Sequence, residues 1–298
     1  MRGNHKMKVL VTGATGNVGK YVVEALLRLD ETVVAAGTRT NKLKDMFGDF
    51  VEAVELDFEK PHTYEGALKD VDRIFLMRPP HLGKPEDLYA FLEAAKSHSI
   101  KLISFLSLMG VKKNTIPPHH KIEKQIEQLG IPFAHIRPGF FMQNLSGIHA
   151  TEIIEKDEIF VPAGRSKTSF IDAEDIGHAI ATVLHESEQH KNTAYTITGP
   201  EAIDYYQIAE ILSQVTGRKI QYKRPGFLRY RHYYIKKRGL DPSYVNVTVA
   251  LYFMTRLGTA KAVTDDFYKL TGKKPRNFMA FAKDHINDFV TEKDQNSK

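Results

Sequence analysis

The chain contains no cysteine. That excludes disulfides, thiolate nucleophiles, iron–sulfur clusters and cysteine-based zinc sites together, and it suits a reducing compartment, so the expected location is cytoplasmic. No apolar run approaches the roughly 18 residues of a membrane helix, and no membrane partner is expected. The opening residues, Met1 to Lys6, are polar and lack a signal-peptide pattern, and Met7 is an alternative start. Charge of one sign is also scarce. The 42 basic and 36 acidic side chains leave +6, compatible with an anionic ligand and too little to argue for nucleic acid.

What is present is an ordinary globular composition. Apolar residues make up 42% and charged residues 26% of 298 positions, enough for a sizeable core and about two domains. Short β-branched runs at 8–12, 32–36, 51–56, 73–77, 101–106 and 133–137 read as strands. Helix-like stretches at 18–29, 63–69, 85–98 and 119–129 separate most of them. Alternation of this kind implies an α/β, Rossmann-type doubly wound parallel sheet. After Gly139 the pattern loosens, with a strand edge running into a helix at 170–184, a strand at 194–198 and an amphipathic helix at 202–216. The remainder reads mainly helical and the polar tail 291–298 as frayed. The expected division is a nucleotide-binding domain at 7–198, with a lobe segment near 146–165, and a smaller, mainly helical substrate lobe at 199–292.

The strongest local signal is Val11-Thr-Gly13-Ala-Thr15-Gly16-Asn17-Val18-Gly19, three glycines at three-residue spacing between the first strand and first helix. Glycine permits the tight turn, lets backbone approach a pyrophosphate and lets the helix pack close to the sheet, and the helix N-terminus offers free N–H groups. A turn that binds nothing is the alternative, and the placement argues against it. Cofactor choice is read near the end of the second strand. The segment Ala35-Ala-Gly-Thr-Arg39-Thr-Asn-Lys-Leu-Lys44 has no acid for a ribose 2′-hydroxyl, whereas Arg39 is placed to pair with a 2′-phosphate. NADP(H) is expected in preference to NAD(H), with a solvated basic loop as the alternative. Asp57-Phe58, after the third strand, is a natural border for adenine.

These residues carry a resemblance. The glycine turn, Asp57, Val71-Asp-Arg-Ile-Phe-Leu76, Ile131-Pro-Phe-Ala-His-Ile-Arg-Pro-Gly-Phe-Phe-Met-Gln-Asn144, Phe170-Ile-Asp-Ala-Glu-Asp-Ile-Gly177 and Thr198-Gly-Pro200 resemble atypical short-chain dehydrogenase/reductases of the NmrA-like group. The matches run in order from about residue 8 to 285, and the chain looks most similar to the NAD(P)H:quinone and triphenylmethane-dye reductase branch. The resemblance implies a Rossmann domain, a small C-terminal lobe and a substrate cleft.

Ordinary members of the wider superfamily use a Tyr-x-x-x-Lys pair beyond the fifth strand, where this chain reads Thr115-Ile-Pro-Pro-His119. Tyr233 and Lys237 have that spacing far past the sheet, which we read as chance. The quinone-reductase-like branch carries His-x-x-x-Glu, matched by His119 and Glu123. Spacing of four residues at a helix start puts both on one face, so the imidazole could donate a proton and the carboxylate orient it. The alternative is an exposed histidine in a proline-rich loop beside a glutamate on a solvated helix. Ser107, ending the fifth strand, occupies the place of a catalytic serine in short-chain dehydrogenases, with a strand-end cap as the alternative. Phe140 and Phe141 follow the sixth strand, where the family backbone borders the nicotinamide; core packing is their other reading.

Two patterns mislead. His185 and His190 are five residues apart, so they cannot share a helix face as a zinc-protease pair does, and no metal is expected. Nine Lys/Arg between Arg218 and Arg238 interleave with Tyr222, Phe227, Tyr230, Tyr233 and Tyr234, a composition able to bind phosphate backbones, but a solvated lobe surface explains it better. The expected function is hydride transfer from NADPH to a small aromatic or quinone-like acceptor. The competing class is a non-catalytic NAD(P)-sensing protein acting through a protein partner, and a homodimer stays open.

Overall fold

The computed structural model describes residues 8–113 and 117–291. The expectations for Met1 to Lys6, for Met7 as a start, for Thr115 and for the tail beyond Thr291 lie outside the described residues. Two compact units are formed. The first comprises Met1–Pro138, Ala173–Ile197 and Asp265–Lys273; the second comprises Gly139–Asp172, Thr198–Thr264 and Lys274–Lys298.

The first unit holds strands β1 (Lys8–Thr12), β2 (Thr32–Gly37), β3 (Glu52–Glu55), β4 (Val71–Leu76), β5 (Leu102–Leu106) and β6 (Phe133–Pro138). The second contributes β7 (Glu158–Ile159) and β9 (Gln221–Tyr222), and β8 (Thr193–Ile197) returns to the first. The sheet order is β3-β2-β1-β4-β5-β6-β8, with every neighbouring pair parallel. Central strands of such a sheet are covered on both faces, which is why β1 and β5 are nearly continuous apolar runs. The helix Gly19–Arg28 buries Val22, Val23, Ala25 and Leu26 and packs on the helix Ala173–His185. On the sheet, Leu10, Ile74, Ile103 and Phe105 join Phe91, Ile122 and Ile126 from the helices in one core cluster. The order in which strands are added reverses between β1 and β4, and the loops after those strands form the crevice where open α/β sheets bind ligands.

The two units divide the chain otherwise than the expected boundary at 199. Asp265–Lys273 belongs to the first unit because its helix, Asp266–Thr271, packs on Ala173–His185 and β8, and Asp266 accepts a hydrogen bond from the Thr196 amide at 2.8 Å. The early lobe segment is also wider than 146–165, running from Gly139 to Asp172.

The second unit is mainly helical, with β7 and β9 as a short parallel pair. Its core joins Ile208 and Leu212 of helix Tyr205–Thr216 to Phe278 and Phe281 of helix Phe278–Asp284. A buried polar network sits beside it. The Glu152 carboxylate accepts from Tyr233 at 2.9 Å and Tyr234 at 3.1 Å and pairs with Arg238, while His149 bonds Tyr234 at 2.8 Å and Tyr252 at 3.1 Å. Each buried polar atom of the network thus has a partner, as burial requires.

Candidate functional site

The glycine turn demands glycine at two positions, Gly13 by its backbone angle and Gly19 by a backbone approach, and favours it at Gly16. Gly13 has φ +61°, a backbone state that side chains disfavour, and a Cβ there would collide with the Met77 methyl group. A Cβ on Gly19 would strike the Gly13 carbonyl, and one on Gly16 would approach it to 3.1 Å. Met77 is pinned in turn, its amide donating to Thr12 Oγ1 at 2.9 Å. The turn closes with the Gly16 amide on the Gly13 carbonyl at 2.9 Å. Helix Gly19–Arg28 then starts with no side-chain cap and no acidic residue in its first turn. Among the described residues, the Thr15, Asn17 and Val18 amides have no protein acceptor. Free N–H groups at the positive end of a helix dipole, in a cradle that a Cβ would fill, fit a pyrophosphate.

Arg39 stands two residues past β2, exposed, with no ion pair or hydrogen bond among the described residues. It is free to meet a ligand phosphate. Asp57 is committed locally. Its carboxylate accepts from the Glu59 amide at 3.0 Å and pairs with Lys60 at 3.2 Å, and these contacts, the amide first, hold it below the usual carboxylate range. Phe58 packs edge-on against Phe91 at 5.1 Å and stays partly buried, so it ties its loop to the core.

Past the ends of β5 and β6 lies a buried polar shelf. Helix Pro118–Gln128 carries His119 and Glu123, and Glu123 is only 3% exposed, so it does not lie on a solvated helix face. Its carboxylate faces Arg137 of β6 bidentately, Nε to Oε1 at 2.9 Å and Nη2 to Oε2 at 2.6 Å. Burial pushes the Glu123 carboxyl up, but the Arg137 hydrogen bond, the neighbouring His135 and Ser107 together hold it low. In place of the expected His119–Glu123 contact stands this pair: among the described residues, the buried His119 Nδ1 has no hydrogen-bond partner. Burial, then the positive charge of Arg78, push His119 down to about 4 against the pull of Glu123, so the imidazole is neutral near pH 7. Ser107 is 5% exposed; its hydroxyl lies near enough to favour ionised Glu123, yet makes no hydrogen bond of ordinary geometry.

Glu123, Glu127 and His135 bring ligand-type atoms within 4.8 Å of one another, but the bidentate Arg137 occupies Glu123. A guanidinium on the carboxylate disfavours a second cation there. His135 itself is stacked on Phe133 at 4.3 Å, and burial lowers it to about 4.

Phe140 and Phe141 belong to the second unit. Phe140 packs on that unit's core with its ring 6.1 Å from Tyr252, and Phe141 bridges Ile171 as an isolated β-pair. The two misleading patterns resolve locally. His185 bonds Glu31 at 2.8 Å and His190 bonds Tyr195 at 2.9 Å. Arg218 is spent on the carbonyls of Ile153, Ile154 and Phe289, and Tyr233 on Glu152.

Sequence reasoning overlooked Arg137, Arg78, Thr12 and Met77. Arg137 carried a signal, being a charge near the end of β6; Arg78, in a proline-rich loop past β4, and Thr12 and Met77, whose roles exist only where β1 and β4 lie side by side, carried none.

Comparison with known proteins places the chain among relatives. The model of the NmrA-like family matches residues 5–255. The prestalk A differentiation protein A of Dictyostelium discoideum is 32% identical over 287 residues, 95% of this chain and 94% of that protein. The NAD(P)H azoreductase of Xenophilus azovorans is 30% identical, covering 94% of this chain and 99% of the enzyme. The NADPH complex of an Escherichia coli NADPH-dependent quinone oxidoreductase superposes with TM-score 0.84 at 22% identity, over 94% of this chain and all 100% of that one, a likeness of fold.

Proposed function

The chain belongs to the NmrA-like family, and on that premise we propose that it is an NADPH-dependent reductase of small aromatic acceptors such as quinones or azo compounds. The carrying observation is the glycine cradle, where Gly13 is demanded by its backbone angle and Gly19 by a close approach, and free amides crown an uncapped helix. The Thr15, Asn17 and Val18 amides hold the pyrophosphate, and Arg39 pairs with the 2′-phosphate. Phe58, with Asp57 fixing its loop, borders the adenine. When bound, NADPH supplies the hydride. His119, neutral, directs an N–H at the acceptor rather than releasing a proton from an imidazolium, and Ser107 offers a second hydroxyl contact. Glu123 is held by Arg137 and anchors the helix that carries His119. The 30%-identical azoreductase supports the acceptor class.

One observation favours a second reading, a cofactor sensor without turnover: Glu123 is engaged by Arg137, leaving His119 without an orienting carboxylate. Titration with NADPH and NADH by fluorescence, followed by azo-dye decolourisation in the same sample, separates the two. Tight NADPH binding with dye loss supports the reductase; tight binding with every quinone and dye left intact supports the sensor.

A further inference from the structure

Apart from its charge on His119, Arg78 takes no part in the proposed reduction. It directly follows Met77, the residue under Gly13 and Gly16, and so is rooted at the same sheet edge as the glycine cradle. Its Nη1 donates to the carbonyls of Pro79, at 3.1 Å, and Leu82, while Nε is buried with no partner. Among the described residues no carboxylate comes within ion-pair distance; the acid that acts on it, Asp87, gives its own oxygen to the Lys84 amide at 3.0 Å. The guanidinium is half-buried with its Nε shut off from solvent, and holding a cation there without a counter-ion has a cost that an arriving anion offsets. His119 repeats the pattern, with Nδ1 buried and unpartnered among the described residues, and it lies within reach of the Arg78 charge.

We propose that Arg78 and His119 form a site for an anionic oxygen, the guanidinium supplying charge and the imidazole a hydrogen bond. The oxygen is the phenolate-type oxygen of a reduced acceptor or a phosphate oxygen of the cofactor. The choice of occupants rests on the reductase reading. When a quinone is reduced by a hydride donor, the donor loses a C–H bond with its electron pair and is oxidised. The quinone gains the hydrogen and both electrons, and one negative charge stays on oxygen until solvent supplies a proton. A preorganised cation and N–H donor stabilise that charge as it forms. Burial lowers the Arg78 guanidinium, in keeping with a cation awaiting its partner.

The test uses full-length protein with NADP⁺ and two probes, 4-nitrophenolate and its neutral methyl ether, 4-nitroanisole, read by difference absorbance. NADPH affinity is measured separately by fluorescence. We expect wild type to prefer the phenolate by at least about tenfold, Arg78→Lys to keep most of that preference, and Arg78→Met to lose it. If Arg78→Met instead weakens NADPH by that factor and leaves the phenolate preference alone, the anionic oxygen is the cofactor's phosphate. Loss of neither in a folded Arg78→Met protein overturns the site, as does a wild type without phenolate preference whose NADPH affinity is the same in Arg78→Lys. A wild type that fails to bind NADPH at all is a different result and contradicts the reductase reading.

Discussion

Arg137 grips both carboxylate oxygens of Glu123, at 2.9 and 2.6 Å, in a pocket where the two side chains are 9% and 4% exposed. The pair joins the end of β6 to the helix that carries His119, and so fixes the shelf on which Ser107 and His119 stand. Removing one member leaves a buried charge uncompensated. Arg137→Met is expected to destabilise the first unit by about 3–5 kcal/mol. The double change Glu123→Leu/Arg137→Met should recover most of that loss, because it removes both charges. Urea unfolding of the three proteins checks this, and equal losses in single and double variants would contradict it.

The cofactor turn gives a second outcome. Gly19→Ala drives a methyl group into the Gly13 carbonyl, so NADPH affinity should fall by at least about tenfold. Gly66→Ala is the control, since a Cβ there meets nothing within 4 Å and should leave binding unchanged. Fluorescence titration of both variants decides, and a Gly19→Ala protein that binds as wild type would refute the cradle.

Arg39→Ala should leave NADH affinity nearly intact while the NADPH:NADH affinity ratio falls by about 10- to 100-fold, the worth of charge-assisted bonds to a phosphate. Parallel titrations with the two nucleotides check it. An unchanged ratio would move the 2′-phosphate elsewhere.

Buried histidines set the acid side of stability. His119, His135 and His149 are each pushed down to about 4 by burial, whereas the unfolded chain protonates near the ordinary value of 6.5. Between those values the unfolded state binds the extra protons, so folding stability is full above about pH 6.5 and is lost as pH falls towards 4. Glu31 and Glu123, both held low in spite of burial, deepen the loss below the ordinary carboxylate value of 4.5. Melting temperature measured from pH 8 to pH 4 should therefore decline steadily below pH 6.5. For the same reason the rate of acceptor reduction should show no histidine titration between pH 6 and 8, and a clear inflection near 6.5 would restore an imidazolium donor.

The fold was legible where local pattern and global position coincide. Apolar runs such as Val9 to Val11 and Ile103 to Phe105 are strands on any reading, and the glycines at 13, 16 and 19 carry their spacing in the chain itself. Arg39 was legible because cofactor choice depends on one place after β2. The shelf was half legible: the four-residue spacing of His119 and Glu123 suggested a contact, but Arg137, fourteen positions beyond Glu123, claims the carboxylate once β6 lies under the helix. The helix Asp266–Thr271 was illegible as part of the first unit, since its short apolar face says that it packs and gives no hint of where. Arg78 was overlooked because a charge in a proline-rich loop looks solvated until the buried Nε is seen.

The most direct test of the reductase account is anaerobic mixing of the wild-type protein with NADPH and a simple quinone, following the reduced-nicotinamide absorbance against enzyme-free and NADH controls. The account predicts quinone-dependent oxidation of NADPH that is faster than with NADH at equal low concentration and lost in Gly19→Ala. NADPH that binds tightly and stays reduced through every quinone and dye would contradict it and leave the sensor reading in its place.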